Sequence, residues 1–267
     1  MSTVFESKRF MVQRKQSEIG ETIKTVFYAV LVALAIRTCA YEPFNIPSGS
    51  MIPHLLVGDY LFVSKYSYGY SRHSLPFSPP LFEGRVGFNE PERGDIAVFK
   101  YPDDTSIDYI KRVIGLPGET IQMRGGRLYI NGKRVARKKM QDHVYVDTEG
   151  RVARSRRYVE TLPGGVKHTL LEIGDTLKHD DTPEYTIPSG YYFMMGDNRD
   201  RSRDSRVSDV GFVPAEYLVG RAEVIFFSTN GEARLWEFWK WPMTIRWGRL
   251  FKSLRASSGG TFIPDRV

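Results

Sequence analysis

The sequence predicts a mainly β chain preceded by one N-terminal membrane helix. Three observations carry that prediction: one apolar run near the start, a series of alternating or apolar-rich runs after it, and little helical periodicity beyond the first run. The 267 residues are 41% hydrophobic and 26% charged, the balance of a globular chain, and no segment repeats at a fixed period. Wholesale disorder and repeat architectures are therefore excluded. Lys and Arg (38) outnumber Asp and Glu (31), a formal net charge of +7, so nucleic acid and a phospholipid headgroup surface both come into view as acidic partners. The single cysteine, Cys39, excludes an intramolecular disulfide framework and a Cys-rich zinc site.

The apolar run is Val26 to Ile36, VFYAVLVALAI, bounded by Lys24 and Arg37. Eleven residues alone suit a buried helix or a signal-peptide core as well as a span, which needs about 20 residues. Extension from Thr22 to Tyr41 reaches that length, with Lys24 and Arg37 near enough to the ends to snorkel. Lys8, Arg9, Arg14, Lys15 and Lys24 precede the run and only Arg37 lies between it and Lys65, which puts the N-terminus, residues 1–21, on the cytoplasmic side. A cleavable signal is the competing reading, since Thr38-Cys39-Ala40 is a small-x-small triplet. Cys39 reads as a small apolar residue, not a lipid acceptor.

Strands are predicted at Tyr60 to Tyr66, Ile96 to Tyr101, Tyr109 to Ile114, Thr120 to Met123, Tyr191 to Met195 and Ala222 to Phe227. Arg127 to Val135 reads as a hairpin about Asn131-Gly132, and Leu116-Pro117-Gly118-Glu119 as a turn. The aromatic, Gly- and Pro-rich stretch from Tyr66 to Glu90 reads as an ordered surface loop, with a membrane-dipping loop as the alternative. Residues 120–187 are polar, hairpin-forming and basic around Arg124 to Lys139, a β-rich insert in a domain made of 42–119 and 188–235. On a helical wheel from Thr244 to Arg255, Trp247, Leu250, Phe251 and Leu254 share one face and Arg246, Arg249, Lys252 and Arg255 the other, with Trp236, Trp239 and Trp241 upstream. The basic aromatic segment 236–267 thus suits a bilayer surface or the chain's own β domain, and Gly248 and Ile245 count against the helix.

Five histidines, His54, His73, His143, His168 and His179, are scattered without metal-ligand spacing, and no P-loop or dinucleotide fingerprint is present, so neither a metal nor a cofactor is expected. The dense polar block Gly196 to Arg206, GDNRDRSRDSR, holds Asp197, Asp200 and Asp204 among four arginines, which repel a cation and favour an Asp-Arg network. After the apolar run, Ile46-Pro-Ser48-Gly49-Ser50-Met51 presents two hydroxyls on a turn. A serine needs a base. Lysine serves if burial leaves its amine neutral, and Lys111 alternates on a strand with Tyr109 and Val113, while Arg112 shares the other face with Ile110 and Ile114. Taken singly, a capped turn and a snorkelling strand lysine explain the same residues.

Together the blocks IPSGSM (46–51), LLVGDYLFVSK (55–65), RGDIAVFKYP (93–102), DYIKRVIGLPGE (108–119) and GDNRDRSRDSR (196–206) resemble bacterial type I signal peptidase in order and separation. The resemblance covers 88 residues (41–66, 93–119 and 188–222) and implies an antiparallel β-sheet catalytic domain with a β-rich insert. It also implies a membrane-bound serine endopeptidase that removes N-terminal signal peptides from exported preproteins after small residues, in the pattern Ala-x-Ala. Residue by residue, it makes Ser50 the nucleophile and Lys111 the general base, with the Ser50 backbone N–H and the Ser48 hydroxyl as oxyanion donors. Ser202 orients the lysine, and Asp204 and Arg206 form a supporting ion pair. Phe44, Ile46, Met51, Leu55, Leu61, Val98, Tyr109 and Ile110 line two shallow apolar pockets.

The implied partners are preprotein signal peptides and the phospholipid bilayer of the bacterial inner membrane, crossed once, with the catalytic domain on the periplasmic side. A monomer is expected and no cofactor is implied. Arg201 and Arg203 depart from the family's small, polar or acidic residues, and the insert and the loop 66–92 have no role assigned. Two alternatives stay open at this point: a specialised processing peptidase of the same dyad type, and a membrane-anchored, non-enzymatic β binding protein. Nucleic-acid binding rests on charge alone and lacks a motif.

Overall fold

β-Branched and aromatic side chains fit a pleated surface better than a helix, and the alternating runs beyond residue 40 become strands. The structure is a computed structural model that describes residues 20–34, 37–38, 40–75, 78, 83–146, 152–231 and 237–255. Four strands come first: β1 (Tyr41–Asn45), β2 (Asp59–Ser64), β3 (Ile96–Tyr101) and β4 (Asp104–Gly115). Then come β5 (Thr120–Arg124), β6 (Arg127–Ile130), β7 (Lys133–Arg134), β8 (Ala136–Lys139), β9 (His143–Val146), β10 (Val152–Thr161), β11 (Lys167–Glu172) and β12 (Tyr185–Thr186). The chain continues through β13 (Tyr191–Met195), β14 (Val213–Pro214), β15 (Leu218–Ser228) and β16 (Lys252–Ser253).

An eight-stranded sheet runs β1-β2-β15-β3-β4-β13-β14, with β16 added to β15. Strands β5 to β12 form two four-stranded sheets, β11-β10-β8 with β9 on β10, and β12-β5-β6-β7. Every strand pair is antiparallel. A parallel bridge, Leu171 to Asn198, joins the β10-β11 sheet to the loop after β13. The Asn-Gly hairpin forms as its chemistry requires: Asn131 and Gly132 have φ of 51° and 70°, and they connect β6 to β7.

Under the large sheet, Leu55, Leu61, Val63, Ala222 and Ile225 are fully buried, and each large apolar side chain there contributes about 1.5–3 kcal/mol by leaving water. Between β2 and β3, Arg85 donates to the carbonyls of Tyr68, Gly69, Ala215 and Leu218, which fastens the described part of the 66–92 loop onto the domain. Residues 76–77 and 79–82 of that loop, and 147–151 of the insert, lie outside the described residues.

Two expectations are corrected. The stretch from Thr22 to Tyr41 is not helical to its end: residues 20–34 and 37–38 are helical, but Ala40 is in a turn and Tyr41 already pairs with Ser64 as the first residue of β1. Among the described residues no helix is long and apolar enough to cross a membrane. Residues 1–19, Ala35, Ile36 and Cys39 lie outside them. The apolar side chains of the helix, Ile23, Val26, Phe27, Leu31 and Val32 among them, are nevertheless exposed.

The segment from Thr244 to Arg255 is likewise not an amphipathic helix. It is a four-residue helix ending at Thr244, a 3-10 turn at Trp247–Arg249, and then β16. Pairing with β15 wins because it satisfies the backbone: Phe251 N–H donates to Ile225 O and Leu254 N–H to Glu223 O. The intended apolar face splits. Leu254 enters the core, whereas Trp247 and Phe251 stay exposed. Arg249, assigned to the wet face, is buried against Asp59 at 2.5 Å. Trp236 and residues 256–267 lie outside the described residues.

Candidate active site

Ser50 sits in a one-turn 3-10 helix, Gly49–Met51, between β1 and β2. Met51 anchors that turn because its side chain is buried in the same apolar cluster as Ile46, Leu55, Leu61 and Val98, with Phe44 and Ile110 packed against it. Seven of the eight apolar residues named from the sequence therefore meet in one cluster. Tyr109 belongs to a neighbouring one, stacked on Tyr101 with ring centres 4.8 Å apart.

Lys111 arrives from β4, where it stands opposite Ala97 of β3. Its Nζ lies 2.8 Å from Ser50 Oγ and 2.9 Å from Ile110 O. The Tyr109 ring centre is 5.1 Å from the same nitrogen. Lys111 is 5% exposed. Burial lowers its pKa from 10.5 to about 8, against the opposing pull of the Asp204 and Asp197 carboxylates, which favour the charged form. Ser48 Oγ and Ser50 Oγ are 3.5 Å apart, close neighbours without a short hydrogen bond.

Ser202 is buried beside Gly196, and its Oγ has no hydrogen-bond partner among the described residues; the lysine's hydrogen bonds go to Ser50 and Ile110 instead. Asp204 and Arg206 are paired, Nε to Oδ1 at 2.8 Å and Nη2 to Oδ2 at 2.9 Å. Burial pushes the Asp204 pKa up, but Arg206 outweighs it and the net displacement is downward.

Sequence reasoning missed what holds the turn and the polar loop together. Asn198 donates its backbone N–H to Ser50 O and its side-chain amide to Gly49 O, both at 3.0 Å. Gly196 leaves the room for this approach: a Cβ there would stand 2.6 Å from Ser50 O and would also run into the Ser202 side chain. Asp197, beside Asn198, takes Arg112 as a two-pronged partner at 2.8 and 2.6 Å. His54 Nδ1 lies 3.0 Å and His168 Nδ1 3.2 Å from the same carboxylate. His168 Nε2 then reaches Glu160 at 3.1 Å, and Glu160 is held by Arg199. Burial raises the Glu160 pKa, yet Arg199 and His168 more than offset it and leave it at about 2. The sequence signal was the surplus of charge in the 196–206 block, but partners on β4, β10 and β11 are too far away in sequence for spacing to reveal.

A hydroxyl 2.8 Å from a desolvated amine, beside two carboxylates each held by an arginine, has the parts needed for acyl transfer by a nucleophile and its base. The family model "Signal peptidase, peptidase S26" matches residues 19–227. A signal peptidase I of Rickettsia typhi is 40% identical over 266 residues, covering 91% of this chain and 98% of that protein. One of Rickettsia canadensis is 42% identical over 248 residues, covering 86% and 92%. A crystal structure of a signal peptidase I from Enterococcus faecalis V583 shares 33% identity, covers 50% of this chain and 97% of its own, and superposes with a TM-score of 0.30. The chain belongs to the signal peptidase family S26, whose members are serine-protease hydrolases that cleave signal peptides.

Proposed function

We propose that this chain is a membrane-bound endopeptidase that removes N-terminal signal peptides from exported preproteins after small residues, with Ser50 as nucleophile and Lys111 as general base. The observation that carries the reading is the 2.8 Å contact between Lys111 Nζ and Ser50 Oγ, made by a buried lysine whose pKa is lowered to about 8. Neutral Lys111 takes the Ser50 proton as Oγ attacks the scissile carbonyl, and the protonated amine then gives that proton to the leaving amino group. The same lysine next draws a proton from water, which attacks the acyl carbon and releases Ser50. The Ser50 N–H and the Ser48 hydroxyl receive the negative charge that develops on the carbonyl oxygen.

Ser202 orients Lys111 by rotation of its buried hydroxyl. Arg206 neutralises Asp204, which would otherwise hold Lys111 protonated. The substrate lies along the domain formed by 42–119 and 188–235, its small side chains over the Phe44, Ile46, Met51, Leu55, Leu61, Val98, Tyr109 and Ile110 cluster, while 120–187 is an appended β-rich insert. Exposed apolar side chains along helix 20–34 support a bilayer anchor in the inner membrane, with the basic residues before it cytoplasmic and the catalytic domain, a monomer, outside. The test is cleavage of a preprotein with an Ala-x-Ala site. Ser50→Ala and Lys111→Ala should each lose at least about 10³-fold in rate with unchanged circular dichroism; substantial activity in either variant would refute the dyad.

A further inference from the structure

A pocket of about 380 Å³ opens between Lys178 and His179 of the insert, Tyr185, and the segment that follows Asp204, which supplies Ser205, Arg206 and Phe212. No carboxylate lines it. Its ionisable lining groups are Lys178 and His179 at the rim, Tyr185 on the wall and Arg206 on the floor, the arginine backed by Asp204. On the floor, Arg206 is 1% exposed by its side chain. The guanidinium spends Nε and Nη2 on Asp204, and Nη2 also donates to Arg199 O at 2.5 Å. Nη1 has no hydrogen-bond partner among the described residues. A buried N–H of a charged group left without an acceptor is costly, and an oxyanion brought to this pocket would relieve it.

At the rim, Lys178 is exposed and makes no ion pair or hydrogen bond among the described residues, so its ammonium is available. Ser205 already accepts the Met194 N–H at 2.9 Å, which leaves its hydroxyl proton to donate. His179 has its pKa lowered by burial and then by Arg206 and Lys178, against the opposing pull of Asp204 and Asp180. The remaining wall is apolar and aromatic, Phe212 and Tyr185 lying edge to face at 6.3 Å. The Lys178 ammonium, the spare Nη1–H of Asp204-paired Arg206 and the Ser205 hydroxyl are three donors that suit the three acceptor oxygens of a phosphate monoester better than the two of a single carboxylate, and the aromatic wall suits an apolar body attached to it.

We propose that this pocket binds an organic phosphate, its oxyanion between Lys178 and Arg206 and its apolar body against Phe212 and Tyr185. The source is a soluble phosphate monoester or a lipid headgroup, and the probes separate them. Phosphorus NMR titrations on the full chain in non-ionic detergent would use phenyl phosphate, inorganic phosphate and dihexanoylphosphatidic acid, a lipid whose headgroup is itself a monoester, below its micelle concentration.

Phenyl phosphate should saturate and bind at least about fivefold more tightly than inorganic phosphate, and Lys178→Glu should weaken both by at least about tenfold. Lys178→Arg should keep the affinity. Preprotein cleavage in phosphate-free buffer should be unchanged in Lys178→Glu, which reports that the variant is folded. Tighter binding of the short lipid than of phenyl phosphate would assign the headgroup as ligand, and weaker binding the soluble monoester. Absence of saturation by about 20 mM phenyl phosphate, or equal affinity in wild type and Lys178→Glu, would overturn the proposal.

Discussion

In the proposed dyad Lys111 decides the chemistry, because an amine serves as a base only while neutral. Its pKa of about 8 results from burial, partly reversed by Asp204 and Asp197, so only about a tenth of it is unprotonated at pH 7. Below pH 8 the active fraction falls as protons are added, and above it the fraction levels off. The kcat/KM for preprotein cleavage should therefore rise about tenfold per pH unit up to a bend near pH 8. A flat profile from pH 6 to 9 would remove Lys111 from the base role. Ser50 and Lys111 were legible in the sequence only as members of ordered blocks, since a Ser-Gly-Ser turn and a strand lysine each have an ordinary explanation. Asn198 was not legible as a neighbour of Ser50, nor His54 as a partner of Asp197, because these contacts are made only in the tertiary fold.

At the scale of elements, the proposed dyad needs the 3-10 turn Gly49–Met51 to meet the loop after β13, and Gly196 leaves the room for that contact. Gly196→Ala forces its new methyl against Ser50 O and the Ser202 side chain, neither of which is a long flexible tip. Cleavage should drop by at least about 10²-fold, while a serine-unrelated readout, the near-ultraviolet circular dichroism of the core aromatics, stays close to wild type. Normal activity in this variant would show that the turn and loop have slack.

Strand positions were well read from alternation: Ile96–Tyr101 and Tyr191–Met195 fall where periodicity put them. The C-terminal segment was misread because a helical wheel weighs spacing alone, and the open edge of β15 offered Phe251 and Leu254 better backbone partners than a helix containing Gly248.

For the molecule as a whole, buried ionisable groups link the insert to the large sheet and tie stability to pH. His54 is held neutral, its pKa lowered from 6.5 to about 4 by burial and by Arg112. The unfolded chain binds that proton more readily, so stability falls as pH drops from 6.5 toward 4. Glu160 acts in the same direction further down: its folded pKa of about 2 lies below the ordinary 4.5, and its contribution, complete above 4.5, is lost as pH falls through about 2. Between pH 7 and 5 the wild type should lose about 2 kcal/mol more than His54→Asn in urea unfolding. Equal losses would mean that folding does not lower the His54 pKa.

The β architecture and the +7 charge were legible from composition and pattern, but the wiring of Glu160, His168, Asp197 and Arg112 was not, because it crosses between sheets. The proposed dyad is tested most directly by trapping the acyl-enzyme with a signal-peptide substrate and locating the adduct by mass spectrometry in wild type and Lys111→Ala side by side. The dyad predicts an acyl adduct on Ser50 in the wild type and none in the variant. An adduct on another residue, or equal acylation of Ser50 without the lysine, would contradict it.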